Sequence, residues 1–277
     1  MTISSSTRHT FWEAEFQDNR VGYAIGDIHG CADLLELMLE RIELMERPAK
    51  QRKPKLIFLG DYVDRGPDSR RVLELLSSNR LDAFECIFLL GNHDAAMLSF
   101  LNYEPQSEAW LSHGGLDTLI SYGVAPPPVG APQLLVHRAQ AEFDRAVPDE
   151  HKQFLKQLRL IYISGEYLFV HAGMDPTRCL ADNTAHDFLW IRRPFLESKT
   201  PLPYRVVHGH TPVTAAQFHP QRIAVDTGAY ATGVLTAVRF SGVTTTPIEV
   251  RRENSSKDAR WFETNDVKMP EPRRYFP

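Results

Sequence analysis

Residues 60–66 read Gly-Asp-Tyr-Val-Asp-Arg-Gly and directly follow the apolar run 55–59, Lys-Leu-Ile-Phe-Leu. A short and almost continuously hydrophobic run of this kind is typical of a strand that is buried on both faces. The next seven residues hold two acids, an arginine and two glycines, and the glycines permit a sharp turn and close backbone approach. The stretch therefore predicts a buried strand that ends in a loop carrying reactive side chains.

The same arrangement, an apolar run that ends in Gly, Asp, His or Asn, recurs along the chain. The other runs are 21–25 before Gly26-Asp27, 86–90 before Gly91-Asn92-His93, 167–170 before His171, 205–207 before His208-Gly209-His210, and 223–225 before Asp226. In open α/β sheets, ligands bind in the crevice beyond the carboxyl ends of the strands. The loops are therefore expected to meet in one crevice.

Segments with helical spacing separate the early runs, and strands dominate after residue 160. The helices are predicted over 33–47, 68–79, 93–101, 108–122 and 149–160. This order favours an α/β fold in which two packed sheets are flanked by helices. We expect a single domain over 1–250, with a helical and loop insert beside the cleft at about 100–160, followed by an irregular tail over 251–277.

Composition excludes several classes of protein. The chain has 277 residues, of which 43% are hydrophobic, and its formal net charge is −4, which argues against a dedicated nucleic-acid binder. Three scattered cysteines support neither a disulfide framework nor a thiolate zinc site. Without a secretory signal or a membrane-length apolar run, the expectation is a cytoplasmic protein with no membrane partner. The sequence leaves the oligomeric state open.

The strand ends offer a mixed set of metal ligands. Carboxylate, imidazole and amide oxygen together suit Mn²⁺, Fe or Zn²⁺ better than Ca²⁺, which prefers oxygen alone. The side chains offered in this way are Asp27, His29, Asp61, Asn92, His93, His171 and His210.

Three motifs in order carry a family resemblance: Gly-Asp-Ile-His-Gly from residue 26, the stretch 60–66, and Gly-Asn-His-Asp from residue 91. They resemble the signature of the phosphoprotein phosphatases within the calcineurin-like metallophosphoesterases, and 171–173 and 208–212 are similar to its later metal motifs. The resemblance extends from about residue 21 to 232 and is strongest to the bacterial and phage serine/threonine phosphatases. It implies a four-layer α/β/β/α sandwich of two mixed sheets.

The resemblance also implies roles for individual residues. One metal, most often Mn²⁺, would be held by Asp27, His29 and the bridging Asp61, and a second by Asp61, Asn92, His171 and His210. His93 would be the general acid, oriented by Asp64, and Arg65 and Arg192 would grip the phosphate together with Asn92. Water bridging the two metals would attack phosphorus directly.

Several positions have competing interpretations. His113-Gly114 also spells a family motif, but it lies inside a predicted helix, so His171 is preferred as the ligand. His210 is preferred to His208 as the ligand, and His208 is expected at most near the departing phosphate. Arg193 competes with Arg192 for the phosphate. Asp226 is either a partner of a ligand histidine or part of a turn.

The implied activity is hydrolysis of phosphate monoesters, with phosphoserine and phosphothreonine in proteins as the preferred substrates. The alternative is hydrolysis of dinucleoside polyphosphates, such as diadenosine tetraphosphate, or of nucleotide ends. Tyr103, Trp110 and Tyr122 in the insert could stack a purine or belong to the core. A metal-free pseudophosphatase is disfavoured because every ligand position is filled, and no GxGxxG follows the first strand as a dehydrogenase would require.

Overall fold

The computed structural model describes residues 14–17, 21–46 and 53–252, and the backbone of 259–262. Within these ranges two sheets pack face to face, and helices lie on both outer sides. The strands are β1 (Val21–Ile25), β2 (Lys55–Phe58), β3 (Glu85–Phe88), β4 (Ile161–Ser164), β5 (Tyr167–Val170), β6 (Arg205–His208), β7 (Gln217–Phe218), β8 (Arg222–Ala224), β9 (Val234–Ser241), β10 (Thr244–Arg252) and β11 (Ala259–Phe262). The α-helices are α1 (Ala32–Glu46), α2 (Ser69–Ser77), α3 (Asn92–Leu101), α4 (Gly115–Ser121), α5 (Gln133–Ala146), α6 (Asp149–Lys156), α7 (Ala185–Trp190), α8 (Arg193–Leu196) and α9 (Ala229–Thr232).

Both sheets are mixed, and each has a parallel centre. The first has the order β11-β10-β9-β1-β2-β3, in which β1, β2 and β3 are parallel and the other neighbours antiparallel. The second has the order β4-β5-β6-β8-β7, in which β5, β6 and β8 are parallel. The parallel strands of each sheet therefore deliver their carboxyl ends to one edge, as the strand-end pattern predicts.

Alternation along the strands builds the layers. In β1, Tyr23 and Ile25 pack under α1 and its neighbouring helices, while Ala24 faces the space between the sheets. In β5, Phe169 enters that same space, and Leu168 lies under α7 and α8 on the far side. Helices, sheet, sheet and helices thus form four layers, which confirms the predicted fold class.

The predicted helix over 108–122 is wrong in its centre. The chain forms a 3₁₀ helix over Ser107–His113, turns at Gly114, and continues as α4. Gly114 has φ +111°, and a Cβ there would lie 2.8 Å from Cγ of Arg65. The carbonyl of Gly114 also accepts a hydrogen bond from the amide of Arg65 at 3.3 Å. The break is therefore needed for the close approach of the second motif loop.

The prediction of an irregular tail over 251–277 is also wrong where the tail is described. β10 extends to Arg252, whose guanidinium makes two hydrogen bonds of 2.7 Å to Asp33 on α1. β11 then pairs antiparallel with β10, from Ala259 opposite Arg252 to Phe262 opposite Glu249. The last described residues therefore form the edge strand of the first sheet. Among the described helices, none combines the length and the apolar character that crossing a bilayer requires.

Candidate metal centre and catalytic site

The motif loops converge at the carboxyl ends of β1, β2 and β3. The carbonyl of Asp61 accepts hydrogen bonds from the amides of Ile28 and His29 at 3.1 and 2.9 Å, which fixes the first loop on the second. A Cβ at Gly66 would lie 1.9 Å from the carbonyl oxygen of His29, so this approach requires glycine. The first two motif loops, which are separate in the sequence, are therefore held together by backbone contacts.

Strained backbone is concentrated in these loops. Five of the predicted site residues have a positive φ although they are not glycine, a conformation that costs energy and is found preferentially at functional sites. They are His29 (44°), Asp61 (53°), Asp64 (75°), Arg65 (67°) and His210 (61°).

Asp61 lies at the centre of a buried cluster of potential metal ligands. One group contains His29, Asp61 and His93, and a second contains Asp61, His171 and His210; within each group the ligand atoms lie within 4.8 Å of one another. Nε2 of His171 also lies 2.9 Å from Oδ1 of Asn92. Asp61 is thus common to both groups, as a carboxylate shared by two cations would be.

His29 and His171 each direct the unprotonated ring nitrogen, Nε2, at this cluster. Burial lowers the pKa of His29 to about 3, so its ring is neutral. Its Nδ1 donates to the carbonyl of Val63 at 2.8 Å, which leaves the lone pair of Nε2 facing Asp61 at 3.4 Å. His171 has the same arrangement, with Nδ1 donating to the carbonyl of Leu59 at 2.9 Å and Nε2 lying 3.5 Å from Asp61.

One ring nitrogen of the cluster is left without a hydrogen-bond partner. Nε2 of His210 is buried and has no partner among the described residues, and burial lowers the pKa of His210 to about 3. Asp27 accepts the amide of His210 at 3.0 Å, and burial together with the charges of Asp226 and Asp61 raises the pKa of Asp27. Neutral imidazoles and crowded carboxylates with unmatched lone pairs are the environment that a divalent cation satisfies, so the residues fit a metal site.

His93 and Asp64 form a buried pair beside the cluster. Nδ1 of His93 lies 2.6 Å from Oδ2 of Asp64, which also accepts the indole N–H of Trp110 at 2.7 Å, while Oδ1 accepts the hydroxyl of Thr118 at 2.7 Å. Burial opposes protonation of His93, but the hydrogen bond to Asp64 and the charge of Asp61 outweigh it and raise the pKa of His93. The pair can therefore hold a proton at the edge of the cluster.

Two arginines line the cavity beside the cluster. The guanidinium of Arg65 lies 3.2 Å from Nε2 of His29 and 2.9 Å from Nε2 of His93. Arg192 donates to the carbonyl of His210 at 3.3 Å and lines the cavity beside the cluster. The side chain of Arg193 is 89% exposed and faces Glu197. The structure thus brings Arg65 and Arg192 together and leaves Arg193 outside.

Two further residues of the site lie beyond the predicted roles. Asp94 caps α3 at the amide of Gly91, as its position after Asn92-His93 suggests, but its carboxylate also accepts the amides of Asp61 and Tyr62 at 2.8 and 2.9 Å. Tyr230 on α9 meets the ring of His29 edge-on at 5.3 Å and lies 5.0 Å from the guanidinium of Arg65. No motif surrounds Tyr230, so its signal in the sequence was weak.

The remaining alternatives are resolved by position. His113 lines the cavity but lies outside the ligand groups. His208 is fully buried, packs edge-on against Phe195, and is not among the residues that line the cavity. Asp226 accepts the amide of Gly228 at 2.7 Å, which makes it part of a turn, and it is also close enough to raise the pKa of Asp27. Trp110 is 3% exposed and belongs to the core.

The cluster opens into a cavity of about 500 Å³. We call the part of its lining that contains Asp61, Asn92, His210, His93, Arg65 and Arg192 the inner end. We call the part that contains Trp190, at the end of α7, and the loop from Glu104 to Ser107 the outer end. The cavity is therefore lined both by the candidate ligands and arginines and by a second group of side chains that differs from them in charge.

The family model described as calcineurin-like phosphoesterase matches residues 23–239. The chain belongs to the calcineurin-like phosphoesterase family. It is therefore a phosphoesterase, a hydrolase from a family that uses divalent metals, which confirms the resemblance seen in the motifs.

Among curated proteins, the chain is similar to the asymmetrical bis(5′-nucleosyl)-tetraphosphatase PrpE of Geobacillus thermodenitrificans, with 26% identity over 81% of this chain and 92% of that protein. It is 31% identical to the symmetrical bis(5′-nucleosyl)-tetraphosphatase of Nitrosospira multiformis, over 56% of this chain and 44% of that one. A crystal structure of a candidate diadenosine tetraphosphatase superposes with a TM-score of 0.56 and 22% identity, covering 85% of this chain and 98% of the other, and this likeness shows the shared fold.

Proposed function

We propose that this calcineurin-like phosphoesterase hydrolyses dinucleoside polyphosphates of the diadenosine tetraphosphate type. The observation that carries the proposal is the cavity, whose lining combines members of the ligand cluster and two arginines with a tryptophan, Trp190, that is 47% exposed. A polyphosphate chain needs the cationic inner end, and a nucleoside needs a flat, largely uncharged outer end. The nearly full-length similarity to PrpE, whose name states this activity, supports the same substrate class.

The proposed ligand sets are Asp27, His29 and Asp61 for one metal, and Asp61, Asn92, His171 and His210 for the other. Their mixture of nitrogen and oxygen donors suits Mn²⁺, Fe and Zn²⁺, and of these we propose Mn²⁺. When bound, such a cation pair neutralises charge on the phosphoryl oxygens and acidifies the attacking water. Asp94 keeps the loop of Asp61 in position through its backbone amides.

The remaining steps fall to the side chains around the cluster. Arg65 and Arg192 hold the phosphoryl oxygens, a task for which the planar guanidinium is suited. His93 keeps a proton because Asp64 accepts from its Nδ1, and its Nε2, directed at the arginine side of the cluster, donates to the leaving oxygen. Trp110 and Thr118 fix Asp64 and therefore the orientation of the imidazole.

A second candidate function, hydrolysis of phosphoserine and phosphothreonine in proteins, is favoured by the His93–Asp64 pair itself. A serine or threonine alkoxide is a strong base and must be protonated as it leaves, so a positioned acid matters greatly. A nucleotide leaving group is a phosphate whose second pKa is about 6, and it departs with little need of a proton. The buried acid pair would therefore be most useful to a phosphomonoesterase.

The test is a side-by-side measurement of kcat/KM on diadenosine tetraphosphate and on a phosphothreonine peptide, with Mn²⁺ supplied. The proposal predicts a clear preference for the tetraphosphate, with AMP and ATP as products if cleavage is asymmetrical and two ADP if it is symmetrical. A preference for the peptide by a factor of ten or more would replace the proposal with the second candidate.

A further inference from the structure

The outer end of the cavity contrasts with the inner end in charge. Within the part of the lining that the structure describes, the outer end carries one acid, Glu104, and neither lysine nor arginine; its other side chains include Pro105, Gln106, Ser107 and Trp190. We therefore expect phosphates at the inner end near Arg65 and Arg192. The outer end, with its acid and its exposed indole, is better suited to a flat group without negative charge.

Trp190 stands out in this wall because 47% of its surface is exposed. Its orientation is nevertheless fixed. His186, one turn earlier on α7, stacks against it with centroids 6.5 Å apart and an interplanar angle of 23°, and His210 meets it edge-on at 6.2 Å and 82°. A large indole that is held by two rings and still open to the cavity is prepared to receive another flat group.

Trp190 and the candidate phosphate-binding group Arg192 both lie against the same residue, His210. Arg192 follows Trp190 by two residues, and its guanidinium is anchored on the carbonyl of His210, the same residue that Trp190 contacts. A phosphate held by Arg192 and an aromatic base placed on Trp190 would thus belong to one ligand. The cavity volume of about 500 Å³ is within the range of roughly 300–1,000 Å³ typical of small-molecule sites.

We propose that Trp190 is the stacking platform for a nucleobase of the substrate, with the adjoining phosphate on Arg192. This assignment rests on the proposed function and deepens it, because it names the residue that selects nucleotides over other phosphates. Stacking on one indole face is tolerant of base identity, so the platform selects for an aromatic base and not for adenine alone. The loop from Glu104 to Ser107 lines the same cavity.

The test compares two ligands that share a phosphate and differ in the base. The dissociation constants of the non-hydrolysable phosphonate analogues of AMP and ribose 5-phosphate are measured by calorimetry with Mn²⁺ present, so catalysis is not required. The ratio of the two dissociation constants reports the contribution of the base to binding, because any change in metal or phosphate affinity affects both ligands. Loss of one base–aromatic stack is expected to change this ratio roughly 5- to 100-fold.

In the wild type we expect the AMP analogue to bind at least about ten times more tightly than the ribose analogue. Trp190→Ala should bring the ratio close to one, and Trp190→Phe should keep most of it. Tyr103→Ala is the matched control, since Tyr103 is also an exposed aromatic (51%) but lines a separate, smaller cavity. Equal affinities in the wild type, a ratio retained in Trp190→Ala, or a ratio lost in Tyr103→Ala would each overturn the platform.

The two proposals fail separately. If diadenosine tetraphosphate is not cleaved but the base-dependent ratio exists and disappears in Trp190→Ala, the platform stands and the proposed substrate is wrong. If the tetraphosphate is cleaved and Trp190→Ala keeps the ratio, the function stands and the platform is wrong.

Discussion

The inner and outer ends of the cavity are built by different means. At the inner end, side chains lie on loops locked to parallel strand ends, with five strained residues and carboxylates held by backbone amides. At the outer end, the wall is formed by a short helix end at Trp190 and by the loop between α3 and the 3₁₀ helix, where Gln106 is left-handed at φ 63°. The difference indicates that the chemistry is fixed by the sheet edge, while substrate choice is left to the surrounding helices and loops.

The largest effect is expected at the shared ligand of the inner end. Asp61→Asn removes the charge common to both metal sites, and since this stabilisation amounts to several kcal/mol, kcat should fall by roughly 10³-fold or more. Metal content measured by mass spectrometry should fall as well. Asp68→Asn is the matched control, because Asp68 is an exposed helix cap and asparagine caps equally well. Normal turnover with full metal content in Asp61→Asn would refute the shared-ligand role.

The next effect separates the two candidate substrates at the same inner end. His93→Asn should retain metal and lower kcat on a phosphothreonine peptide by roughly 10²–10⁴-fold, the usual contribution of a general acid. On diadenosine tetraphosphate the loss should be much smaller, because the leaving phosphate needs little protonation. His137→Asn, on an exposed face of α5, is the control. If metal content falls and added Mn²⁺ restores the rate, His93 is a ligand instead of the acid.

A smaller effect is expected where the inner end meets the outer end. Arg192→Ala should raise the inhibition constant of free phosphate about tenfold, because a hydrogen bond to a charged group contributes about 1.5–3 kcal/mol. Arg193→Ala is the neighbouring control, and it should leave the constant unchanged because Arg193 is exposed outside the cavity. The opposite pattern between the two variants would exchange their assignments.

The smallest effect is expected at Trp110, which donates a hydrogen bond to Asp64 of the His93–Asp64 pair. Trp110→Phe removes the indole N–H that donates to Asp64, and it should lower the free energy of unfolding by about 1–2 kcal/mol. Asp64 keeps its contacts with His93 and Thr118, so kcat should fall only several-fold. Chemical denaturation and steady-state kinetics measure the two quantities. A kcat loss as large as that of His93→Asn would mean that Trp110 acts on the reaction itself.

The parts of the site that could be predicted from the sequence are those encoded by short spacing. A buried strand followed by Gly-Asp or Gly-Asn-His identifies both the carboxyl edge of the sheet and the candidate ligand at that edge. Residues such as Asp27, Asp61 and His171 could therefore be predicted to lie close together. The preference for Arg192 over Arg193 also rests on a local sequence motif. These signals are local because a strand end fixes its own loop.

The parts that the sequence analysis missed depend on contacts between distant residues. Helix α5 was not predicted, because its buried side chains are few and a proline-rich stretch precedes it. The break at Gly114 exists because Arg65, far away in the chain, packs against it. The sequence does not decide whether Trp110 belongs to the core or contacts substrate, since no neighbouring residue reveals that its N–H donates to Asp64.

The most direct test of the central claim is the number and coupling of Mn²⁺ ions bound by the wild-type chain, measured by equilibrium dialysis together with electron paramagnetic resonance. Cations that share Asp61 would lie about 3.5–4 Å apart. We therefore predict two Mn²⁺ per chain with a spin-coupled signal, which is lost in Asp61→Asn. A single bound Mn²⁺, or two with independent six-line signals, would contradict a metal pair centred on Asp61.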